Sequence, residues 1–444
     1  MTSSVEVNVE PIFLLIIFFG GLLVLLAIGF PVAFSLASLA TVFSYWLWGG
    51  TAGFFTIIST DYGKLTEFII IAIPLFIFMA GTLQHTGIAD DLYELIYRFM
   101  GALRGGLGMG TIIICAIFAA MAGISTVATA AMGLIALPSM LERKYDKNLA
   151  IGSVCAGGAL GILIPPSIIM ILYGVEAGVS IGKLFIGGII PGILLAILFI
   201  LYIGIRSWLQ PELAPGSSIK FTSKEKIVAM RNVILPFLLI TLVLGVIYTG
   251  VCTPTEAAGI GAFGALLCAL MKGKLNWPNL KETFQMTVRI NAMVCWIMIS
   301  AGAFSKMVAV SGLGDWICES VGAVPVSRWV ILAFIQFIFL ILGMFLDPAG
   351  IILITTPIFV PIIMNLGFDP LWFGILFIIN MEMAYITPPF GFNLFIMRGV
   401  VPPEISMGDI YRSIIPFVGI QALCLLLIIL FPGLATWLPA QMVK

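Results

Sequence analysis

The chain has 444 residues, 61% of them hydrophobic and only 9% charged, with a formal net charge of zero and a mean hydropathy of +1.18. So much apolar surface excludes a soluble domain, since many runs reach the ~20 residues that carry a helix across a bilayer, and the lack of alternating polarity excludes a barrel. No basic stripe offers itself to nucleic acid, and a single histidine, His85, leaves zinc catalysis and Ser-His-Asp chemistry without parts.

The opening MTSSVEVNVEP has no basic n-region, so no cleavable signal peptide is expected and the first span acts as its own insertion signal. Spans follow at 11–29, 31–48 and 66–85, with Trp and Tyr of YWLWGG as interfacial anchors. The run DDLYELIYRFMGALRG, 90–105, is amphipathic and reads as interfacial. Residues 107–141 read as two paired shorter segments, a hairpin. Within them AAMAGISTVATAAMG, 119–133, holds eleven small residues among fifteen. Small residues allow close backbone approach, and Ser125, Thr126 and Thr129 place oxygens at the turn.

Residues 149–175 and 184–206 are further spans. In the first, GILIPPSIIM sets Pro165 and Pro166 inside an apolar run. Each proline lacks an N–H and clashes with the carbonyl four residues back, so the carbonyls of Gly161 and Ile162 are expected to be free. A polar connector, 206–232, then divides the chain nearly in half. Spans at 227–249, 254–271 and 286–305, a second paired segment at 328–365, and spans at 371–400 and 412–436 complete the chain. In the paired segment Asp347 precedes Pro348, with Thr355 and Thr356 downstream; the carboxylate reads either as an intramembrane functional group or as part of an outside loop. ITPPFGFN repeats the break with Pro388 and Pro389, freeing by the same logic the carbonyls of Ala384 and Tyr385. Glu256 reads as a helix cap or a structural hydrogen-bonding group. Glu382 reads as a protonated or hydrogen-bonded structural group or as a ligand. The seven cysteines are scattered through apolar segments and read as small core residues.

The halves resemble each other. Pro31 recurs as Pro254 and Pro165-Pro166 as Pro388-Pro389, both 223 residues on, and Ile189-Ile190-Pro191 recurs as Ile414-Ile415-Pro416. Five spans and a hairpin per half is an odd count, so the second copy inserts upside down. The fold expected is an all-α polytopic membrane protein of two inverted-topology repeats: residues 1–206 (hairpin 107–141, broken helix 149–175), a cytoplasmic linker at 207–231, and residues 232–444 (hairpin 328–365, broken helix 371–400). With both termini outside, sixteen of the 21 Lys and Arg fall on the cytoplasmic side, leaving Lys64, Lys183, Lys306, Arg328 and Lys444 outside, as the positive-inside rule asks. This parity is the same whether each paired segment turns back or crosses twice. Inverted repeats with interrupted helices are the usual build of secondary transporters: freed carbonyls suit a sodium ion, and new helix N-termini suit a carboxylate. The plain alternative is a kink repaired by nearby hydroxyls such as Ser167 or Thr387.

GISTVATAAMG, PSMLERKYD, GALGILIPPSIIMILYG, IIPGILLA, GVCTPTEAAGIGA, FLDPAGIILITTPIFVPI and ITPPFGFNLF together resemble the large (M-type) membrane subunit of TRAP, tripartite ATP-independent periplasmic, transporters, over residues of about 10 to 436. The resemblance implies a bacterial inner-membrane protein working with a small four-helix membrane subunit, here a separate chain, and a periplasmic substrate-binding protein. It implies sodium-coupled, ATP-independent uptake of a small organic acid, and an elevator-type fold in which the two hairpins and two broken helices move against a scaffold. Sodium would be held at Ser125, Gly161, Pro165 and Ser167 in one half and at Asp347, Thr387, Pro388, Gly391 and Asn393 in the other. Substrate would meet Thr126, Pro166 and Pro389. The turn GISTVAT departs from the family's more usual Ser-Gly-Ser type. Sodium is the one coupling ion implied, with no organic cofactor and no transition metal, and no Walker motif is present. The alternative is a stand-alone sodium- or proton-coupled anion symporter or antiporter of related inverted-repeat fold; enzyme activity is not expected.

Overall fold

The computed structural model describes residues 10–47, 50–216, 221–323 and 325–442. Among them the secondary structure is helical throughout, without a strand. Among the described residues eight helices are long and apolar enough to cross a membrane, or nine if one bent pair counts as a span.

Each paired segment is a helix–turn–helix. The first joins Gly106–Ala122 to Ser125–Glu142; the second joins Arg328–Phe345 to Pro348–Asn365. Their turns end the helices by different means. Gly123 takes a left-handed conformation, φ 60°, which ends the incoming helix at low cost only for glycine. At the second turn the Asp347 carboxylate accepts the Ala349 N–H at 2.9 Å and starts the outgoing helix, with Pro348 in its first turn.

Both proline pairs interrupt their helices as expected. Lys147–Ala159 tightens into a 3-10 turn at Leu160–Ile162, and the helix resumes only at Ile168–Ala177. Pro370–Tyr385 stops before Thr387 and resumes at Phe392–Val400. Helix starts elsewhere follow sequence-legible caps. Glu256 and Thr253 form a reciprocal capping box, as do Thr222 with Glu225 and Ser406 with Asp409. Glu256 is therefore a cap.

Several boundaries differ from the sequence reading, the widest being the span read as 286–305, which runs over Trp277–Val310. The helix after the connector starts at Ser223, because the Thr222–Glu225 box nucleates it in polar sequence. The last span ends at Leu430, and a separate short helix, Gly433–Ala440, follows Pro432. Pro432 supplies no N–H to continue the ladder, although the apolar run reads straight through it. The amphipathic segment is the helix Ile88–Met100. It buries Leu92 and Ile96, while Arg98 bonds Glu94 and the Glu225 carbonyl and Asp91 pairs with Lys272. All seven cysteines are free, four of them buried.

Packing sets the interrupted helices against the hairpins crosswise. Lys147–Ala159 lies against both arms of the first hairpin, and Phe392–Val400 from the other interruption lies against its outgoing arm. The outgoing arm of the second hairpin lies against Ile168–Ala177. A second group of helices holds Pro254–Met271 against Ala72–His85 and Trp277–Val310 against Val32–Leu47.

Candidate functional site

The first hairpin seats its turn directly on the first interruption. A methyl group on Gly161 would lie 2.9 Å from both the Cα and the N of Ser125, and one on Gly123 would run into the Pro166 carbonyl oxygen. Neither backbone position tolerates a side chain, which explains glycine at both. Pro165, Pro166 and Ser167 are all buried here.

The second interruption joins this place through one side chain. Asn393 is fully buried. Its amide nitrogen donates to Ser125 Oγ at 2.7 Å and to the Cys155 carbonyl at 3.4 Å, while the Ser125 hydroxyl donates to Asn393 Oδ1 at 3.0 Å. Ser125 opens the outgoing arm of the first hairpin and Asn393 sits in the first turn of Phe392–Val400. Two helix N-termini, each the positive end of its dipole, thus meet at one bonded pair. The C-terminal ends of Gly106–Ala122 and of Lys147–Ile162 lie beside them across the Gly123 and Gly161 contacts, and those ends present carbonyls.

Among the described residues the buried hydroxyls without a hydrogen-bond partner include those of Thr129, Ser167 and Thr356, and also those of Ser44 and Thr82 on Val32–Leu47 and Ala72–His85. Thr129 packs on Gly158, one turn before the first interruption. A buried hydroxyl without a partner costs about 1–3 kcal/mol, so Ser167 at the first interruption and Thr129 on Gly158 suit a ligand that the chain itself does not supply. Ser167 therefore does not repair the kink. Nor does the Thr387 hydroxyl: it donates to the Met383 carbonyl at 2.7 Å, which already accepts the Ile386 N–H and is not one of the carbonyls the prolines would free.

The second interruption departs from expectation in detail. The Ala384 carbonyl is not left free by Pro388, because the helix tightens and the Thr387 N–H donates to it at 3.1 Å. Pro388 is half-buried and Pro389 exposed. The Pro389 carbonyl accepts from the Tyr411 hydroxyl at 2.7 Å. Gly391 packs against the Tyr385 carbonyl, and Thr126 is half-buried in the first turn of its helix. Asp347 stands at the tip of the second hairpin, where its second oxygen accepts from the Tyr385 hydroxyl at 3.3 Å. It ties hairpin to broken helix and is bonded to neither Ser125 nor Asn393.

Sequence reasoning missed Tyr385 and Tyr411. Tyr385 lies beside the second proline motif and was legible as a neighbour. Tyr411 is 22 residues from Pro389, and no spacing rule links them.

Paired hairpins, two interrupted spans and a buried polar seam between them define a polytopic helical membrane transporter. Comparison gives the family. The model for the "Tripartite ATP-independent periplasmic transporter, DctM component" matches residues 19–434. The chain belongs to this family. It is 30% identical to the C4-dicarboxylate TRAP transporter large permease protein DctM of Vibrio cholerae, covering 94% of this chain and 95% of that one. It is 32% identical to the DctM of Pseudomonas aeruginosa, over 84% and 86% of the two chains. It is 30% identical to the ectoine TRAP transporter large permease protein TeaC of Halomonas elongata, over 93% and 96%. Among solved structures, the Alcanivorax borkumensis YdaH transporter shares the fold, with TM-score 0.62 at 16% identity over 97% of this chain and 98% of that one. Neisseria gonorrhoeae MtrF shares it too, with TM-score 0.64 at 12% identity over 98% and 96%. The chain is thus the large permease component of a TRAP transporter, a multi-pass membrane protein and not an enzyme.

Proposed function

We propose that this permease carries out sodium-coupled, ATP-independent uptake of a small organic acid across the bacterial inner membrane. It works with a separate small membrane subunit and a periplasmic binding protein. The observation that carries the reading is the Ser125–Asn393 pair, where two helix N-termini meet beside the partnerless hydroxyls of Ser167 and Thr129. Positive helix ends favour a carboxylate, and bare oxygens beside carbonyl ends favour a small cation. The named substrates of the relatives, C4-dicarboxylates and ectoine, all carry carboxylates.

Sodium has its contacts around Ser125, Gly161, Pro165, Ser167 and Asn393, with Asp347, Thr387, Pro388 and Gly391 shaping the second half. Thr126, Pro166 and Pro389 face the substrate. The two halves are inverted repeats with both termini periplasmic, and hairpins and broken helices move together as an elevator. The equal spacing of the two proline pairs and the crosswise packing of hairpins on interruptions support this view.

The test is reconstitution of the permease in vesicles with its small subunit and binding protein, using succinate and ectoine as probes. Uptake is expected only with all three proteins and an inward sodium gradient. Uptake by the permease alone, or uptake indifferent to sodium, overturns the reading.

A further inference from the structure

Glu382 lies in Pro370–Tyr385, the half-helix that leads into the second interruption, and is 0% exposed. Both of its carboxyl oxygens lack a hydrogen-bond partner. Beside it stands Gln421 of Met407–Leu430, also 0% exposed, with both its amide oxygen and its amide nitrogen unpaired. Four polar atoms from two packed helices therefore face one another within reach of a side-chain hydrogen bond, yet none of them meets full hydrogen-bond geometry. Of the titratable groups on the elements packed against this half-helix, the Cys424 thiol faces Glu382, and among the described residues no Lys, Arg or His does.

The chemistry of the two side chains decides between charged and neutral forms. A carboxylate brings acceptors only. Charged Glu382 can take one N–H from Gln421, which leaves the amide oxygen and the second carboxylate oxygen bare. It would also be a lone buried charge, which costs several kcal/mol. A carboxylic acid is instead the complement of a primary amide. Its O–H donates to the amide oxygen, and an amide N–H donates to its carbonyl. Two bonds then serve the acid and one face of the amide. A metal ion fits poorly, because hard cations such as Ca²⁺ and Mg²⁺ take about six oxygens and this pocket offers three. A proton needs only two.

We propose that Glu382 and Gln421 form a proton-binding site inside the membrane part of the permease, apart from the Ser125–Asn393 site. The bound proton closes a two-bond acid–amide ring and joins the half-helix before Thr387 to Met407–Leu430. The proton is a resident group here, and loss of it breaks the tie between those two helices.

Infrared difference spectroscopy of the purified permease at neutral pH reads this directly. The carbonyl stretch of a protonated carboxylic acid is distinct from the carboxylate bands. The expected result is an acid band that is missing from Glu382→Gln and shifted in Gln421→Leu, where the acid loses its amide. If Glu382→Gln removes a carboxylate band, or removes no acid band, the proposal falls. If Glu382→Gln does not accumulate, Gln421→Leu decides alone: a shifted acid band supports the site, and an unshifted spectrum overturns it. These readouts need neither sodium nor substrate.

Discussion

Ser125 and Asn393 stand 268 residues apart and share two hydrogen bonds, of 3.0 and 2.7 Å, within a buried seam. One residue opens a hairpin arm and the other opens the half-helix after a proline pair. Through this pair the first hairpin contacts both interruptions. Ser125→Ala and Asn393→Ala are each expected to raise the sodium needed for half-maximal uptake about tenfold, the weight of about 1.4 kcal/mol. The double variant should fall well short of the product of the two effects, since contacting residues are not additive. Sodium titration of uptake in vesicles checks both points, and full additivity would separate the residues functionally.

Pro165→Ala with Pro166→Ala restores two N–H groups at positions where Gly161 and Ile162 lack partners from those residues. The helix can then run on from Leu160 toward Ile168. Insertion should continue at normal levels while sodium-driven uptake drops to background. Uptake at wild-type rate in correctly inserted double variant would show that the interruption has no part in transport.

Asp347→Asn keeps the helix cap, because asparagine caps as well as aspartate, but it removes the charge and puts an amide nitrogen, which cannot accept, where the second oxygen takes the Tyr385 hydroxyl. Its thermal midpoint should fall by no more than the weight of that one hydrogen bond, about 1 kcal/mol, while its sodium dependence changes. Unchanged sodium affinity and rate would confine Asp347 to joining the hairpin tip and Tyr385.

The Tyr411 hydroxyl holds the exposed Pro389 carbonyl. Tyr411→Phe removes one hydrogen bond, worth about 1 kcal/mol, without emptying the space of the ring. A modest fall in the thermal midpoint and a raised substrate KM are expected. A change in midpoint without any change in KM would assign the contact to folding alone.

Asp61 sits in Thr51–Leu65, outside the spans, where it is 6% exposed near the Lys64–Glu176 ion pair of 2.8 Å. Burial pushes its carboxyl up from 3.8 to about 7; Lys64 opposes that shift and Glu176 adds to it. The folded chain thus holds this proton more tightly than the unfolded chain does. The stability it confers is full below about pH 4 and is lost as pH rises through about 7. Thermal midpoints should fall between about pH 6 and pH 8 in the wild type, and that slope should flatten in Asp61→Asn.

The broken helices and the hairpins were legible because proline and glycine act on the backbone locally. Pro165, Pro166, Pro388 and Pro389 each delete a named N–H, and Gly123 permits a turn that other residues resist. The cap at Glu256 was one of two readings its sequence left open, whereas the caps at Ser406 and Asp347 were not read from the sequence. What stayed hidden depends on packing. Asn393 was marked as a candidate, but its choice of Ser125 arises from how two distant helices cross. The Tyr411 bond to Pro389 arises likewise. The fate of the Ala384 carbonyl was misjudged because a helix end can tighten and reuse a neighbouring N–H, and the identity of residue 388 does not reveal that.

The seam where Gly123 and Gly161 press on Pro166 and Ser125 has no room for even a methyl group. Hairpin and interrupted helix there are therefore a single rigid piece. Spin labels or fluorophores placed on its two sides would keep a constant separation through the whole cycle and serve as an internal ruler. A label pair on Lys64 and Glu176, by contrast, spans the ion pair between Thr51–Leu65 and Ile168–Ala177, and the proposed elevator movement requires its separation to change.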